Sequence, residues 1–318
     1  MKHPYMHYLN QYLEFISGHY AEITLTVRKR RLIQLKKLVY DLHKNGKVSS
    51  VSPGKLKAED IANIIGDRKK GGISTDTILD DISFLDGFLK FCGNNAVEKF
   101  KIKYPRFVPA AYHKRKECLT DQQFNRIFEC AYNVDFSDPF RMRSYALVVF
   151  CVSGGLRSLE IRHAKIQNLE RTERSYKLWL DFVKGNDTYG QARFVPLLPQ
   201  SQEFIDRYLE LRYHYLRERG IVSDLIIPPL ANGIDIMSSN NMRKLKDRVI
   251  LDVGFDFDLR ILRRTYAQFL VDNEVPLDVV QVALGHLNPN TTYRNYAGVR
   301  TEKVSDRVFS KLINSEKP

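Results

Sequence analysis

Apolar residues recur at intervals of three and four in two stretches of the first hundred residues, the spacing of one buried face of an α-helix. The first stretch contains Leu25, Leu32, Leu35, Leu38, Val39 and Leu42. The second contains Ile78, Ile82, Leu85, Phe88 and Leu89, and it follows Ser74 and Thr75, either of which can cap a helix. Between them, Ala58 to Ile65 predict a short helix closed by Gly66. The N-terminal part is therefore predicted to be all-helical.

The helical pattern breaks between Lys99 and Lys116, where Pro105 and Pro109 interrupt a basic segment. We place a linker over residues 104–117, which predicts one domain at 1–103 and a second at 118–318. The second domain is expected to begin with a helix capped by Thr120, with Gln123 three residues later completing a capping box.

The remaining pattern predicts more helix than strand. An apolar helix is expected from Phe140 to Val152, and two strands at Lys177–Val183 and Gln191–Leu197. A long amphipathic helix follows from Ser201 to Arg219, stopped by Gly220. The predicted fold class is mainly α with a small β-sheet.

Composition narrows the class of protein. A chain of 318 residues fits two domains, and 50 Lys and Arg against 37 Asp and Glu leave a formal charge of +13. An excess of this size favours an anionic polymer as partner, because each neutralised phosphate releases a counterion. No apolar stretch approaches the length of a membrane span and no signal peptide follows Met1, so an intracellular protein is expected. The four cysteines lack metal-ligand spacing, so no metal site is expected.

The positive charge is concentrated in two places. One is the first predicted helix, with Arg28, Lys29, Arg30, Arg31, Lys36 and Lys37, and the other is the linker, with Lys114, Arg115 and Lys116. These are the candidate contacts to DNA phosphates. The run from Arg28 to Arg31, taken alone, fits an ordinary solvated helix face equally well.

Several common chemistries are unlikely, because the chain has no P-loop, no dinucleotide-binding glycine motif, no zinc-protease motif and no nucleophile elbow. Basic residues in distinctive contexts remain. In chain order these segments are Gly155-Leu156-Arg157-Ser158-Leu159-Glu160, Lys184-Gly185-Asn186 at a predicted hairpin turn, Val195-Pro196-Leu197, Arg260-Ile261-Leu262-Arg263, Leu284-Gly285-His286, and Thr291-Thr292 before Tyr296.

The order of these segments resembles the tyrosine recombinase (phage integrase, Xer-type) family over roughly residues 118 to 300. The resemblance implies a catalytic set, with Glu160 as a carboxylate that supports the arginines; the alternative for Glu160 is an ordinary surface residue of the helix. The set is Arg157, Lys184, Arg260, Arg263, His286 and Tyr296. Lys184 would be the acid that protonates the leaving 5′-oxygen, and Tyr296 the nucleophile.

The sequence departs from the family pattern at two points. Arg260 stands where the family usually has His, and arginine cannot act as a general base because its pKa exceeds about 12. Tyr296 follows His286 by ten residues, one more than is common, and Tyr293 is an alternative nucleophile. We favour Tyr296, because Tyr296-Ala297-Gly298-Val299 resembles the small-residue segment after the family's nucleophile.

The resemblance also implies what the protein does. It predicts a site-specific DNA recombinase or integrase that cleaves and rejoins double-stranded DNA through a 3′-phosphotyrosyl intermediate, without ATP, metal or other cofactor. The N-terminal half would be the family's helical (SAM-like) core-binding domain, and the two domains would form a C-shaped clamp on DNA. The alternatives are a catalytically silent DNA-binding protein on the same scaffold and a related type IB topoisomerase or telomere resolvase.

Assembly and location follow from the same resemblance. The expected assembly is a homotetramer on two DNA sites, in the cytoplasm and associated with the nucleoid rather than with a membrane. A helix predicted from Thr301 to Ser315 could pack on its own domain or be exchanged with a neighbouring protomer.

Overall fold

A computed structural model describes residues 4–110, 117–183, 191–230 and 235–286 of the chain. The chain divides into two units between Lys114 and Arg115, within the predicted linker. Each unit has a hydrophobic core of its own, one between Tyr5 and Phe100 and the other between Leu119 and Leu284.

The described part of the N-terminal unit is helical, in agreement with the sequence pattern. Its helices are α1 (Pro4–Ile16), α2 (Glu22–Lys44), α3 (Ala58–Lys70), α4 (Thr75–Phe91) and α5 (Ala96–Lys103). Helix α4 begins as predicted, since the Ser74 side chain accepts a hydrogen bond from the backbone N–H of Thr77. Helices α1 and α5 were not predicted.

Helix α3 continues past the glycine that was expected to end it, so that prediction was wrong. Gly66 lies within the helix, next to the ring of Phe107. A Cβ atom at position 66 would lie 3.9 Å from Cε1 of that ring. The next turn carries Arg68, which forms an ion pair of 2.8 Å with the buried carboxylate of Asp81. This pairing holds the last turn of α3 on α4, and the helix ends only before Gly71 and Gly72.

In its described residues, the second unit combines helices with one three-stranded antiparallel sheet. The helices are α6 (Asp121–Tyr132), α7 (Pro139–Gly154), α8 (Ser158–His163), α9 (Gln202–Glu218), α10 (Ser239–Val253), α11 (Leu259–Asp272) and α12 (Leu277–Leu284). The strands are β1 (Leu169–Arg171), β2 (Tyr176–Leu180) and β3 (Arg193–Pro196), in the order β1-β2-β3. The capping box of Thr120 and Gln123 at the start of α6 is confirmed. Strands β2 and β3 are shorter than predicted, and neither β1 nor α10 was predicted.

Helix α7 forms the centre of the second core. Its residues from Met142 to Gly154 are all buried, and it packs against α6, α9, α10 and α11. A helix that is apolar on all sides requires neighbours on all sides, which explains the apolar run from Ala146 to Val152 at its centre. The inner face of the sheet, with Leu178 and Val195, is part of the same core.

The fold is mainly α with a small β-sheet, as predicted. No helix in the described ranges has the length and apolar character needed to cross a membrane.

Candidate active site

The junction between α7 and α8 places Arg157 and Glu160 side by side. Gly155 ends α7 in the left-handed region, with φ of +60°, and Arg157 precedes the first turn of α8. The Glu160 carboxylate folds back and accepts a hydrogen bond of 2.8 Å from the backbone N–H of Arg157. Glu160 is thus fixed by the start of its own helix, as the carboxylate of a capping box.

Glu160 is fully buried and is surrounded by three arginines. Nη1 of Arg157 lies 2.7 Å from Oε1. Arg193 donates from Nη1 and Nη2 to Oε1 at 3.1 Å and from Nη2 to Oε2 at 3.2 Å. Nη1 of Arg263 lies 3.8 Å from Oε2. One carboxylate therefore orients three guanidinium groups at once.

The same three arginines hold the carboxyl end of α12. Arg193 Nε donates to the carbonyl of Ala283 at 3.0 Å, Arg263 Nη2 to that of Leu284 at 2.6 Å, and Arg157 Nη2 to that of Gly285 at 3.1 Å. These carbonyls form the negative end of a helix, where cations are stabilised. Three consecutive backbone oxygens are thus satisfied by three different arginines.

The C-terminal turn of α12 places His286 beside the cluster. Gly285 adopts φ of +63°, and Nε2 of His286 lies 3.2 Å from Nη2 of Arg263. Because a guanidinium only donates, Nε2 of a neutral His286 is the acceptor and its proton is on Nδ1. Arg263 also donates to the carbonyl of Gly155 at 2.6 Å, which ties α11 to the α7–α8 junction.

The pKa values of the two titratable groups follow from burial and from the arginines. Burial opposes the charged form of Glu160, but Arg193, Arg157 and Arg263 outweigh it and hold its pKa below its usual range. Burial and then the same arginines lower the pKa of His286 to about 3. At neutral pH the cluster therefore carries three positive charges and one negative charge.

The net positive charge of the cluster is exposed to solvent mainly at Arg157. The side chain of Arg157 is 27% exposed, whereas those of Arg193 and Arg263 are 7% and 9% exposed. A site with positive charge in excess and hydrogen-bond donors at its surface suits an oxyanion such as a phosphate. Within the described ranges, no group of three His, Cys, Asp or Glu side chains is arranged to hold a metal ion.

Four of the predicted site residues come together in this cluster. Arg157, Glu160, Arg263 and His286 are in contact as described above. Arg260 lies three residues before Arg263 on α11 and is exposed. The predictions that lie outside the described residues are Lys184, Tyr293, Tyr296, Lys114, Arg115, Lys116 and the helix expected at 301–315.

Arg193 was missed by the sequence analysis, although a signal existed. In β3 buried and exposed residues alternate, and Arg193 occupies an inward position together with Val195. Polar residues at inward strand positions are uncommon, and a charged one requires a buried partner. The partner is Glu160, 33 residues earlier in the chain.

The basic residues on α2 fall into two groups, those paired with other described side chains of the N-terminal unit and those without such pairing that face solvent to different degrees. The Arg28 guanidinium lies 4.0 Å from the centre of the Tyr20 ring and donates to the Tyr12 hydroxyl. Arg31 pairs with buried Asp81 at 3.4 Å. The other DNA contacts predicted on this helix face solvent to different degrees, with Lys36 half-buried and with Lys29, Arg30 and Lys37 exposed.

Comparison with known proteins identifies the second unit. Residues 117–303 match the model of the phage integrase family. The tyrosine recombinase XerA of Pyrococcus horikoshii is 25% identical over 259 residues, which cover 81% of this chain and 82% of that protein.

Solved structures show the same fold. The XerH site-specific recombinase bound to a palindromic difH substrate has a TM-score of 0.68 at 17% identity, covering 90% of this chain and 79% of that one. A lambda integrase dimer bound to a COC′ core site has a TM-score of 0.62 at 15% identity, covering 93% and 96%. Since the family match extends over more than half of the sequence, the chain belongs to the phage integrase family of tyrosine recombinases.

Proposed function

We propose that the protein is a site-specific recombinase that cleaves and rejoins double-stranded DNA through a 3′-phosphotyrosyl intermediate. The observation that carries the proposal is the cluster of Arg157, Arg193 and Arg263 on one buried carboxylate, with neutral His286 at its edge. Within the phage integrase family, such a cluster is suited to one anion, the phosphate at which the strand is cut.

The charge of the cluster fits the transition state. Attack on a phosphodiester places negative charge on the non-bridging oxygens, so cations already held in position supply most of the catalysis. Glu160 and the α12 carbonyls hold the guanidinium groups in place before DNA arrives. Little reorganisation is then needed when the phosphate binds.

The bond changes follow from the residue types. The Tyr296 oxygen forms a bond to phosphorus and the bond to the 5′-oxygen breaks, leaving the 3′ end attached to the protein. Lys184 gives a proton to the departing 5′-oxygen. The tyrosine proton goes to water or to another base, because Arg260 cannot accept it. Rejoining is the reverse reaction with a 5′-hydroxyl as nucleophile.

This scheme needs neither ATP nor a metal ion. The phosphotyrosyl bond keeps the energy of the cleaved phosphodiester, so attack by the 5′-hydroxyl can restore DNA. The arginines take over the charge stabilisation that a divalent cation provides in other phosphoryl-transfer enzymes.

The partner we propose is double-stranded DNA, on which the protein acts as a homotetramer that joins two sites. Both structural neighbours described above were solved on DNA. The formal charge of +13 and the exposed Lys29, Arg30 and Lys37 support phosphate contacts outside the catalytic cluster. Association with the nucleoid follows from this partner.

A trapping experiment tests the proposal. A duplex selected by the protein from a randomised DNA pool is nicked near its centre, so that the short fragment diffuses away after cleavage. The expected result is a covalent protein–DNA adduct in a denaturing gel, formed in EDTA and without ATP. Binding of the selected duplex with no adduct would instead favour a catalytically silent DNA-binding protein.

The nucleophile is settled in the same assay. Tyr296→Phe should abolish the adduct, whereas Tyr293→Phe, the matched control, should still form it. The reverse pattern would move the nucleophile to Tyr293 and leave the proposed reaction intact.

A further inference from the structure

Arg193 occupies a position that the reaction scheme does not explain. All three of its nitrogens are directed inward, Nε to the Ala283 carbonyl and Nη1 and Nη2 to the Glu160 carboxylate. Its side chain is only 7% exposed. It therefore has little surface with which to contact a substrate, unlike Arg157 at 27%.

The neighbour that admits this side chain is Gly285. A Cβ at position 285 would lie 2.7 Å from Cζ and from Nη1 of Arg193, and 2.9 Å from Nε. These distances are well below van der Waals contact, so any other residue there must displace the guanidinium. Gly285 also needs its left-handed φ of +63° to turn the chain from α12 to His286.

We propose that Arg193 is a positioning residue, which passes over Gly285 to join β3, Glu160 and the end of α12 and thereby fixes His286 and Arg157 for the reaction. This inference rests on the proposed recombinase function for its catalytic consequence. The contact between Arg193 and Gly285 can be tested without any reaction.

The geometry requires the shape of arginine as well as its charge. One edge of the planar guanidinium reaches a helix carbonyl while the other end holds both carboxylate oxygens. A lysine ammonium is a point donor on a flexible stem and cannot span both partners. Restoring the charge alone should therefore restore little activity.

The first experiment separates positioning from DNA binding. Arg193→Met, Arg193→Lys and the control Arg171→Met are compared, since Arg171 belongs to the same sheet but forms an exposed ion pair with Asp206. With the selected nicked duplex at saturation, adduct formation should fall at least 100-fold in Arg193→Met and at least tenfold in Arg193→Lys. The dissociation constant for DNA should change less than threefold, and Arg171→Met should behave as the wild type.

Two results would overturn the proposal. One is an adduct rate at saturating DNA equal to that of the wild type in Arg193→Met. The other is full recovery in Arg193→Lys, which would mean that only charge is needed.

A second experiment tests the contact itself by urea unfolding of a double-mutant cycle. Gly285→Ala should raise the unfolding equilibrium constant at least 30-fold in the wild type. In the Arg193→Ala background, where no guanidinium fills the space beside position 285, this increase should be at least tenfold smaller. Gly254→Ala serves as control, because Gly254 has φ of +82° with no atom within 4 Å of its Cβ position. Equal effects of Gly285→Ala on unfolding in the two backgrounds would refute the contact between Arg193 and Gly285. This test does not depend on any reaction. If the wild type forms no adduct, only the proposed function is refuted.

Discussion

At the scale of single residues, Glu160 organises the site. One buried carboxylate aligns three guanidinium groups that would otherwise repel one another, and the α12 carbonyls compensate part of the remaining charge. His286 stays neutral in this field, which makes it a hydrogen-bond donor through Nδ1 rather than a further cation.

Four of the residues singled out from local motifs lie together in the structure. Arg157, Glu160, Arg263 and His286 each lie next to a glycine or in a short motif, and the chain order of those motifs is informative. Arg193 has no such signature, because its role depends on a carboxylate and a helix end that are distant in sequence. Only its inward position in a strand distinguishes it from a surface arginine.

Replacing Arg157 tests catalysis at the exposed edge of the cluster. Arg157→Ala should lower the rate of adduct formation on the order of 10³-fold, by analogy with arginines that stabilise other phosphoryl-transfer transition states. The rate is measured with saturating DNA, so that weaker binding does not contribute. Arg126→Ala is the control, because Arg126 pairs with Glu129 on the surface. A loss below tenfold would contradict direct contact with the phosphate.

Replacing Glu160 tests the organising role. Glu160→Gln leaves three arginines without their carboxylate and should destabilise the fold by about 3 to 5 kcal/mol, as is found when one partner of a buried ion pair is removed. Urea unfolding at pH 7 measures this loss, and Glu129→Gln, an exposed carboxylate of α6, should leave the midpoint unchanged. A Glu160→Gln variant with the urea midpoint of the wild type would contradict the organising role of Glu160.

The pH dependence of that loss has a defined sign. Because the pKa of Glu160 is lowered in the folded protein, its stabilisation is complete above its unfolded value of 4.5. As the pH falls through the folded pKa, the stabilisation disappears. The stability difference between wild type and Glu160→Gln should therefore be constant from pH 7 to 5 and shrink below 4.5.

At the scale of elements, the site is assembled from helix ends. The start of α8 presents Arg157 and Glu160, and the end of α12 presents His286, each after a glycine with positive φ. The sequence predicts such ends well when a cap or a glycine stands at the boundary, as Thr120 and Gly220 show. It fails when tertiary contacts decide, as in α3, where the pairing of Arg68 with Asp81 carries the helix past Gly66.

Gly155 offers a test of the α7–α8 junction. A Cβ there would lie 2.4 Å from Cδ1 of Tyr266, a fully buried ring whose hydroxyl donates to the Pro196 carbonyl. Gly155→Ala should therefore cost about 1 to 2 kcal/mol for the left-handed backbone and about 1 to 3 kcal/mol more for overpacking. Gly254→Ala, which meets no atom, should show the backbone cost alone. Equal urea midpoints for the two variants would contradict the packing role.

At the scale of the whole molecule, the excess of positive charge separates into groups with different tasks. Arg157, Arg193 and Arg263 belong to the cluster around Glu160, and Arg28 and Arg31 are paired within the N-terminal unit. Among the described residues of α2, the exposed Lys29 and Arg30 are the proposed contacts to the DNA backbone. The net charge predicted a polyanionic partner. It could not distinguish paired from exposed basic residues, because that distinction depends on buried partners such as Glu160 and Asp81.

Salt dependence tests this division. Lys29→Ala with Arg30→Ala should reduce the slope of log affinity against log salt by about 2, since each phosphate contact contributes about 0.9. Arg31→Ala should lower the urea midpoint instead, because it removes a partner of buried Asp81. An unchanged slope in the double variant would exclude this face of α2 from the DNA interface.

In the proposed mechanism, a tyrosine joins the protein to DNA at the cut phosphate. Mass spectrometry of the adduct, after digestion with a protease and a nuclease, identifies the modified residue and the DNA end attached to it. This mechanism predicts a peptide containing Tyr296 linked to a 3′-phosphate, with a free 5′-hydroxyl on the released strand. Linkage to a 5′-phosphate or to a residue other than a tyrosine, or intact bound DNA with no linked peptide, would contradict it.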